Sequence, residues 1–466
     1  MVRQIRNLSA IQIGKLVGRV ARQLRLSGGT SMPGALARRL APSILSDLSA
    51  TLPQGVILLA GTNGKTTTSH MLADILRMSG ERVVHNRAGA NLIAGLTTTI
   101  LSDTDWRGRP RSAIGLFETD EAALPQAIAE TRPRLVLIHN LFRDQLDRYG
   151  EIDTIANAWR TALLRLPTTA TLLLNADDPA VADLGRGMSA QVSYYGLDDA
   201  RHATGAASHL ADSPFCRRCG RRYVYQLVFY AHIGHYACPA CGHARPTPSL
   251  RLHRIELHGA AGSHLELDYP GGSMELELPL PGLYNAANAT AAIAAALALG
   301  LNPNHARSAL EQFSAAFGRI ERVDAGGSAL LIALIKNPVG ASETVRMLTS
   351  NAQSNLHLLI AINDRFADGT DVSWLWDADF ELLAGKIARV EVTGARAEDM
   401  AVRLKYAGVD PALISVTPQV AEALNQARTA LPSGATLFTL PTYTAMLELR
   451  ELLAQRGWVQ PFWKSV

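Results

Sequence analysis

The stretch Leu58-Leu59-Ala60-Gly61-Thr62-Asn63-Gly64-Lys65-Thr66-Thr67-Thr68 constrains this chain more than any other. An apolar strand runs into a glycine-bracketed loop and then into a helix, the order in which α/β proteins cradle nucleotide phosphates. Glycines let backbone N–H groups turn toward anionic oxygens, Lys65 adds a compact positive charge, and the Thr66 hydroxyl suits a magnesium ion. The common G-x-x-x-x-G-K-[ST] spacing is not met. Leu59 stands five residues before Gly64, and the first glycine is Gly61.

A chain of 466 residues has room for two to four domains of roughly 100–200 residues each. Its 47% hydrophobic and 18% charged residues are those of a globular protein, and no apolar run approaches the ~18 residues of a membrane span. A net charge of +4 is too small to argue for nucleic-acid binding. From Met1 to Leu26 six basic residues alternate with aliphatic ones and no acid occurs. This reads as a basic amphipathic helix rather than a signal peptide, either packed on the body or touching anionic lipid. The four cysteines, Cys216, Cys219, Cys238 and Cys241, form two C-x-x-C pairs with eighteen residues between them. That is zinc-ribbon spacing, and four thiolates leave no open coordination position, so the expected zinc is structural.

Along the chain, strands alternate with helices. Ile114 to Phe117 is an apolar strand ending in Glu118, Asp120 and Glu121. A carboxylate at a strand end beside a phosphate loop is placed to hold Mg²⁺, and Glu118 is the first choice. Asp120 and Glu121 read equally well as acids at a helix N-terminus. Leu135–Ile138 and Leu172–Leu174 continue a mostly parallel sheet. The cysteine segment, residues 203–248, is bounded by a loose run and by prolines and reads as an insertion. Its Arg217, Arg218, Arg221 and Arg222, with Tyr223 and Tyr225, also suit nucleic acid, which makes a zinc-ribbon nucleic-acid-binding ATPase a competing class.

The ordered set Gly61-Thr62-Asn63-Gly64-Lys65-Thr66, Asn140-Leu141-x-x-Asp144-Gln145-Leu146-Asp147, Asn175-Ala176-Asp177-Asp178 and Gly282-Leu283-Tyr284-Asn285-x-x-Asn288 resembles the central domain of the Mur ligase and folylpolyglutamate synthetase superfamily. The shortened loop is that superfamily's form. Gln145 stands where amino-acid-adding Mur ligases carry a histidine. With its four-cysteine insert, the chain is more narrowly similar to the MurT family, the Mur ligase-type subunits of lipid II isoglutaminyl synthase. The resemblance covers nearly the whole chain. It implies a short N-terminal segment (1–50), an ATP-binding central domain (51–318, with the 203–248 ribbon) and a Rossmann-like C-terminal domain (319–466). It also implies nucleotide contacts from Gly61 to Thr67, a base-reading amide at Asn285 (N-capping being the simpler use of Asn285 and Asn288), and an arginine, Arg319, reaching ATP phosphates beside a Gly318 hinge.

One loop, Asn363 to Asp377, carries Asp364, Asp368, Asp371 and Asp377 beside Trp374 and Trp376. Read alone it is an acidic turn capping a helix. The resemblance implies instead that one aspartate, Asp371 with Asp368 as runner-up, completes the catalytic triad of a separate GatD-type glutaminase. Such an acid must be ionised and held at an interface, where tryptophans serve as anchors. The implied activity is an ATP-dependent carbon–nitrogen ligase with glutamine as amido donor. It amidates the α-carboxylate of D-glutamate in the lipid II stem peptide during peptidoglycan synthesis, in the cytoplasm or peripherally at the inner membrane face. An amino-acid-adding ligase of the same superfamily is the nearer alternative.

Overall fold

The computed structural model describes residues 2–23, 31–86, 89–143, 152–204, 213–314, 319–349 and 355–460. The D-Q-L-D segment and Gly318 lie outside them, as does the Arg319 side chain.

The first sheet contains β1 (Val56–Ala60), β2 (Val83–His85), β3 (Ile114–Glu118), β4 (Leu135–Ile138), β5 (Thr171–Asn175) and β6 (Gln191–Leu197). After the hairpin β7 (Val224–Tyr230) and β8 (Ile233–Ala237), which forms its own small sheet, come β9 (Leu250–Leu257), β10 (Ser263–Tyr269) and β11 (Gly272–Leu278). The order is β11-β10-β9-β6-β5-β4-β1-β3-β2, parallel from β2 through β9 and antiparallel at β10 and β11. β1 lies inside the sheet and is buried at every residue. Ile57 and Leu59 face one apolar cluster, and Val56, Leu58 and Ala60 face the other. A strand covered on both faces must be apolar throughout, so the approach to the phosphate loop reads as an unbroken hydrophobic run.

On one face, the helix Lys65–Met78 packs against Leu283–Ala298. Alanines bury the second helix almost all round, which brings its first turn, with Asn285 and Asn288, down to the phosphate loop. The N-terminal helix Val2–Gln23 packs on Met32–Leu40 and Ile93–Asp103, as a surface helix on the body should. No helix among the described residues is long and apolar enough to cross a membrane.

The second sheet holds β12 (Arg319–Asp324), β13 (Ala329–Ala333), β14 (Leu356–Ala361), β15 (Ile387–Thr393), β16 (Ile414–Val416) and β17 (Thr436–Pro441), in the order β12-β13-β17-β14-β15-β16. All its pairs are parallel except β12 with β13. Asn63 Oδ1 accepts a hydrogen bond from Asn337 Nδ2 at 2.9 Å, so the loop after β1 meets the loop after β13. The carboxyl ends of the parallel strands of two sheets thus converge, the usual place for a ligand in open α/β folds.

Candidate active site

Parallel register fixes the first contact. Leu59 of β1 pairs with Glu118 of β3, so Glu118 ends level with the start of the loop. Thr66, in the first turn of the following helix, donates its hydroxyl to Glu118 Oε2 at 2.8 Å. Asn86 accepts from the Glu118 N–H and donates to the Glu118 carbonyl, which fixes the strand end. Lys65 Nζ reaches Glu121 Oε1 at 2.9 Å, and both side chains are buried. The acid cluster therefore divides: Glu118 faces Thr66, Glu121 faces Lys65, and Asp120 caps its own turn through the Ala122 N–H.

The loop is braced from β4. Asn63 N–H donates to Asn140 Oδ1 at 2.8 Å, Asn140 Nδ2 donates back to Asn63 O, and Thr62 Oγ1 donates to Phe142 O. Gly64 has φ +82°, and an added Cβ would come within 2.1 Å of Asn288 Oδ1 and 2.8 Å of His139, so glycine is required there on both counts. His139 lies buried with Nδ1 2.6 Å from Tyr195 OH, and burial lowers its pKa to about 4 despite Asn288 and Asp178. It is a neutral packing imidazole. Asn285 donates to Pro281 O and accepts from Asn288. Neither asparagine caps the helix, whose N-cap is Gly282, and both line the cleft.

That cleft encloses about 780 Å³ including its open mouth. Asn63, Gly64 and Thr67 form one end, Tyr230 of the ribbon hairpin one wall, and Lys336, Gly340 and Glu343 the side contributed by the second sheet. A glycine-lined loop opening a helix fits a phosphate chain. Thr66 and Glu118 fit a magnesium ion, since both offer oxygen. Their separation is close to that of neighbouring ligands in an octahedral shell, about 3.0 Å for metal–oxygen distances near 2.1 Å.

A second constellation sits on the ribbon. The four sulfurs lie within 4.8 Å of one another, with Cys216–Cys241 at 3.6 Å and Cys219–Cys238 at 3.4 Å. Tetrahedral zinc with sulfur at 2.3 Å requires about 3.8 Å, so the thiols are grouped to take one metal ion. Burial opposes ionisation of Cys238, but the N–H groups of Cys241 and Ala240 bring its thiol down to about 6. His243 stands behind Cys216, its Nδ1 2.9 Å from Tyr223 OH. Arg218 binds Asp183 and Arg245 binds Asp177, clamping the ribbon to the loop after β5. Asp178 caps the helix Pro179–Asp183 and accepts from Leu141 N–H, so the Asn-Ala-Asp-Asp motif joins β4, β5 and the ribbon. Tyr223 is buried, and Arg217 and Arg218 are paired with acids of the body, whereas Arg221 and Arg222 are exposed and Tyr225 is half-buried.

The aspartate loop separates its two candidates. Asp368 is buried, accepts from Thr444 N–H and Oγ1, and is pushed up by burial. Asp371 is exposed, and the Ser373 N–H and hydroxyl hold its carboxyl below the usual range. Trp374 packs on the apolar core of the second sheet, whereas Trp376 is 54% and Phe366 75% exposed.

Residues 59–225 match the Mur ligase middle domain family, and residues 334–446 match the MurT ligase C-terminal family. The chain is 34% identical over 447 residues to the lipid II isoglutaminyl synthase (glutamine-hydrolyzing) subunit MurT of Streptococcus pneumoniae, covering 95% of this chain and 97% of that one. The chain belongs to the MurT family. The Staphylococcus aureus member is 32% identical over 450 residues, covering 96% of this chain and 98% of its own. A solved pseudomurein peptide ligase type C from Methanothermus fervidus shares the fold, with a TM-score of 0.67 at 20% identity over 88% of this chain and 80% of that one. The Mur ligase fold expected from the motifs is therefore present, and the relatives named as subunits imply a partner. ATP and Mg²⁺ are the ligands the family implies.

Sequence reasoning missed Asn86, Asn337 and His243, and left Glu121 undecided. Glu121 follows Glu118 by three residues and carried a usable signal. The other three become visible only when distant segments meet.

Proposed function

We propose that this chain is the ligase subunit of a glutamine-dependent complex that amidates the α-carboxylate of D-glutamate in the lipid II stem peptide. The substrate carboxylate attacks the γ-phosphorus of ATP, ADP departs, and an acyl phosphate forms. Ammonia then attacks the acyl carbon, inorganic phosphate leaves with the C–O bond electrons and takes up the proton that nitrogen gives up, and an amide remains. Magnesium, when bound, neutralises charge on the transferring phosphoryl group. Thr66 and Glu118 would hold it, Lys65 would offer its charge to the phosphates, Gly61 to Thr67 would supply loop contacts, and Asn285 would lie near the base. Arg319 belongs to the same reading. So do the structural zinc on the four cysteines and the division at residues 50 and 318.

Ammonia would come from glutamine hydrolysed by a GatD-type partner. The single observation that carries this reading is the exposed Asp371 carboxylate on a loop of exposed aromatic residues, in a chain whose glycine loop also brings Thr66 onto Glu118. An orienting acid serving another polypeptide must be ionised and accessible, as Asp371 is. Asp368, already enclosed by Thr444, is not suited to it. A lipid-linked substrate places the work at the inner face of the membrane.

The test is reconstitution with a GatD-type glutaminase, lipid II and ATP, followed by mass spectrometry of the stem peptide. Carboxyl-to-amide conversion with glutamine or ammonium is expected. Amidation with neither donor, or attachment of a free amino acid, would refute the proposal.

A further inference from the structure

The N-terminal helix has two apolar faces. Ala10, Ile11, Gly14 and Ala21 are buried against the body. On the opposite side Ile5, Leu8, Ile13, Leu16 and Val20 point outward, Ile5 and Leu16 at 59% and 58% exposure. Their spacing at three, four and five residues draws one stripe, interrupted by exposed Ser9 and Gln12, along a helix of 22 residues, about 33 Å long. Such a stripe on a solvated surface needs a cover.

The surroundings say which. The helix contains no acidic residue, and exposed Arg6 and Arg19 lie on either side of the stripe. Beside it runs the 104–111 turn, where Trp106 is exposed and Arg19 stacks 4.7 Å above its ring. Arg107, Arg109 and Arg111 of that turn are exposed. The acids facing this region are already engaged. Asp105 accepts from the Arg107 and Arg109 N–H groups, Asp103 from Arg111 and Ser112, and Asp47 binds Arg3 and Asn7. Lys15 is also occupied, donating to the Thr104 carbonyl.

We infer that the outer face of the helix 2–23, with the Trp106 turn, docks on an anionic bilayer surface. Aliphatic side chains at the centre enter the acyl boundary, flanking guanidinium groups meet headgroup phosphates, and Trp106 sits at the polar–apolar border. A second copy of the chain is a poorer cover, because stripe-to-stripe packing in either direction sets arginines against arginines. The inference gives the membrane placement of the proposed function a surface, and it does not depend on the amidation chemistry.

The test is co-sedimentation of the full chain with vesicles, without lipid II, ATP or partner. Binding to vesicles containing phosphatidylglycerol, weak binding to phosphatidylcholine alone, and release by salt are expected. Ile5→Asp/Leu16→Asp should lower partitioning roughly tenfold or more. Arg6→Gln/Arg109→Gln, which leaves the apolar stripe intact, should weaken only the anionic preference. Both variants should melt with the parent, since the altered side chains face solvent. No binding to anionic vesicles, equal binding to both kinds, or a solution dimer that Ile5→Asp/Leu16→Asp dissolves would overturn the inference. Failed amidation would leave it standing.

Discussion

The Lys65–Glu121 pair sets the chemistry of the phosphate loop at the scale of single residues. Both groups are buried and 2.9 Å apart, so removing the cation alone strands a carboxylate in a low-dielectric pocket. Lys65→Met should therefore cut amidation by roughly 10²–10³ and also destabilise the fold by about 3–5 kcal/mol. Adding Glu121→Gln should restore the melting temperature but not turnover, a split that thermal denaturation and product analysis read directly. Glu343 provides a titrating counterpart on the other side of the cleft. Burial pushes its carboxyl from 4.5 up to about 7, with Arg346 at 3.1 Å pulling the other way. A raised pKa favours the folded state while the group is protonated. That contribution is complete below pH 4.5 and is lost as pH rises through 7. Wild type should thus lose up to about 3 kcal/mol relative to Glu343→Gln between pH 4.5 and pH 8, measured by denaturant unfolding at each pH. Little of this was legible beforehand. Lys65, Thr66 and Glu118 are readable because loop spacing and a strand end place them, whereas the partner of Lys65 and the burial of Glu343 depend on contacts between separate segments.

Individual elements show a sharper division between what patterning reveals and what it hides. β1, β3, β4, β5 and β14 are doubly covered parallel strands, and their continuous apolar runs announce them. β16, three residues long, carries too little periodic signal to be read alone, whereas the following helix Val420–Thr429 buries Val420, Ala423, Leu424 and Ala427 at helical spacing and was readable. The ribbon was legible as a metal site from its cysteines, but its attachment was not. Its hairpin ends in Phe229 and Tyr230. Tyr230 lines the cleft proposed for the nucleotide, and the Phe229 carbonyl accepts from Arg346 of the helix Pro338–Thr349. Stripping metal from the four cysteines, or Cys216→Ser, should therefore loosen the ribbon and also weaken ADP binding several-fold. Limited proteolysis and calorimetric titration would check the two effects. Unchanged ADP affinity after metal loss would confine the ribbon to local stapling.

Across the whole molecule, the parallel strands of two mixed sheets present their carboxyl ends to one cleft and are joined there by Asn63 and Asn337. The aspartate loop also leaves a carboxyl end, that of β14, yet Asp371 is turned to solvent with Trp376 and Phe366 exposed on the same loop. The motifs indicated that this loop matters, but only burial separates Asp368, locked to Thr444, from Asp371. The pairing of ATP chemistry in the cleft with an acid lent to another polypeptide is what we propose for this chain. Its most direct test is lipid II amidation by the Asp371→Asn complex, with glutamine or with ammonium as donor. Glutamine-dependent product is expected to disappear while ammonium-dependent product stays near wild type. Equal loss with both donors, or no loss with glutamine, would contradict it.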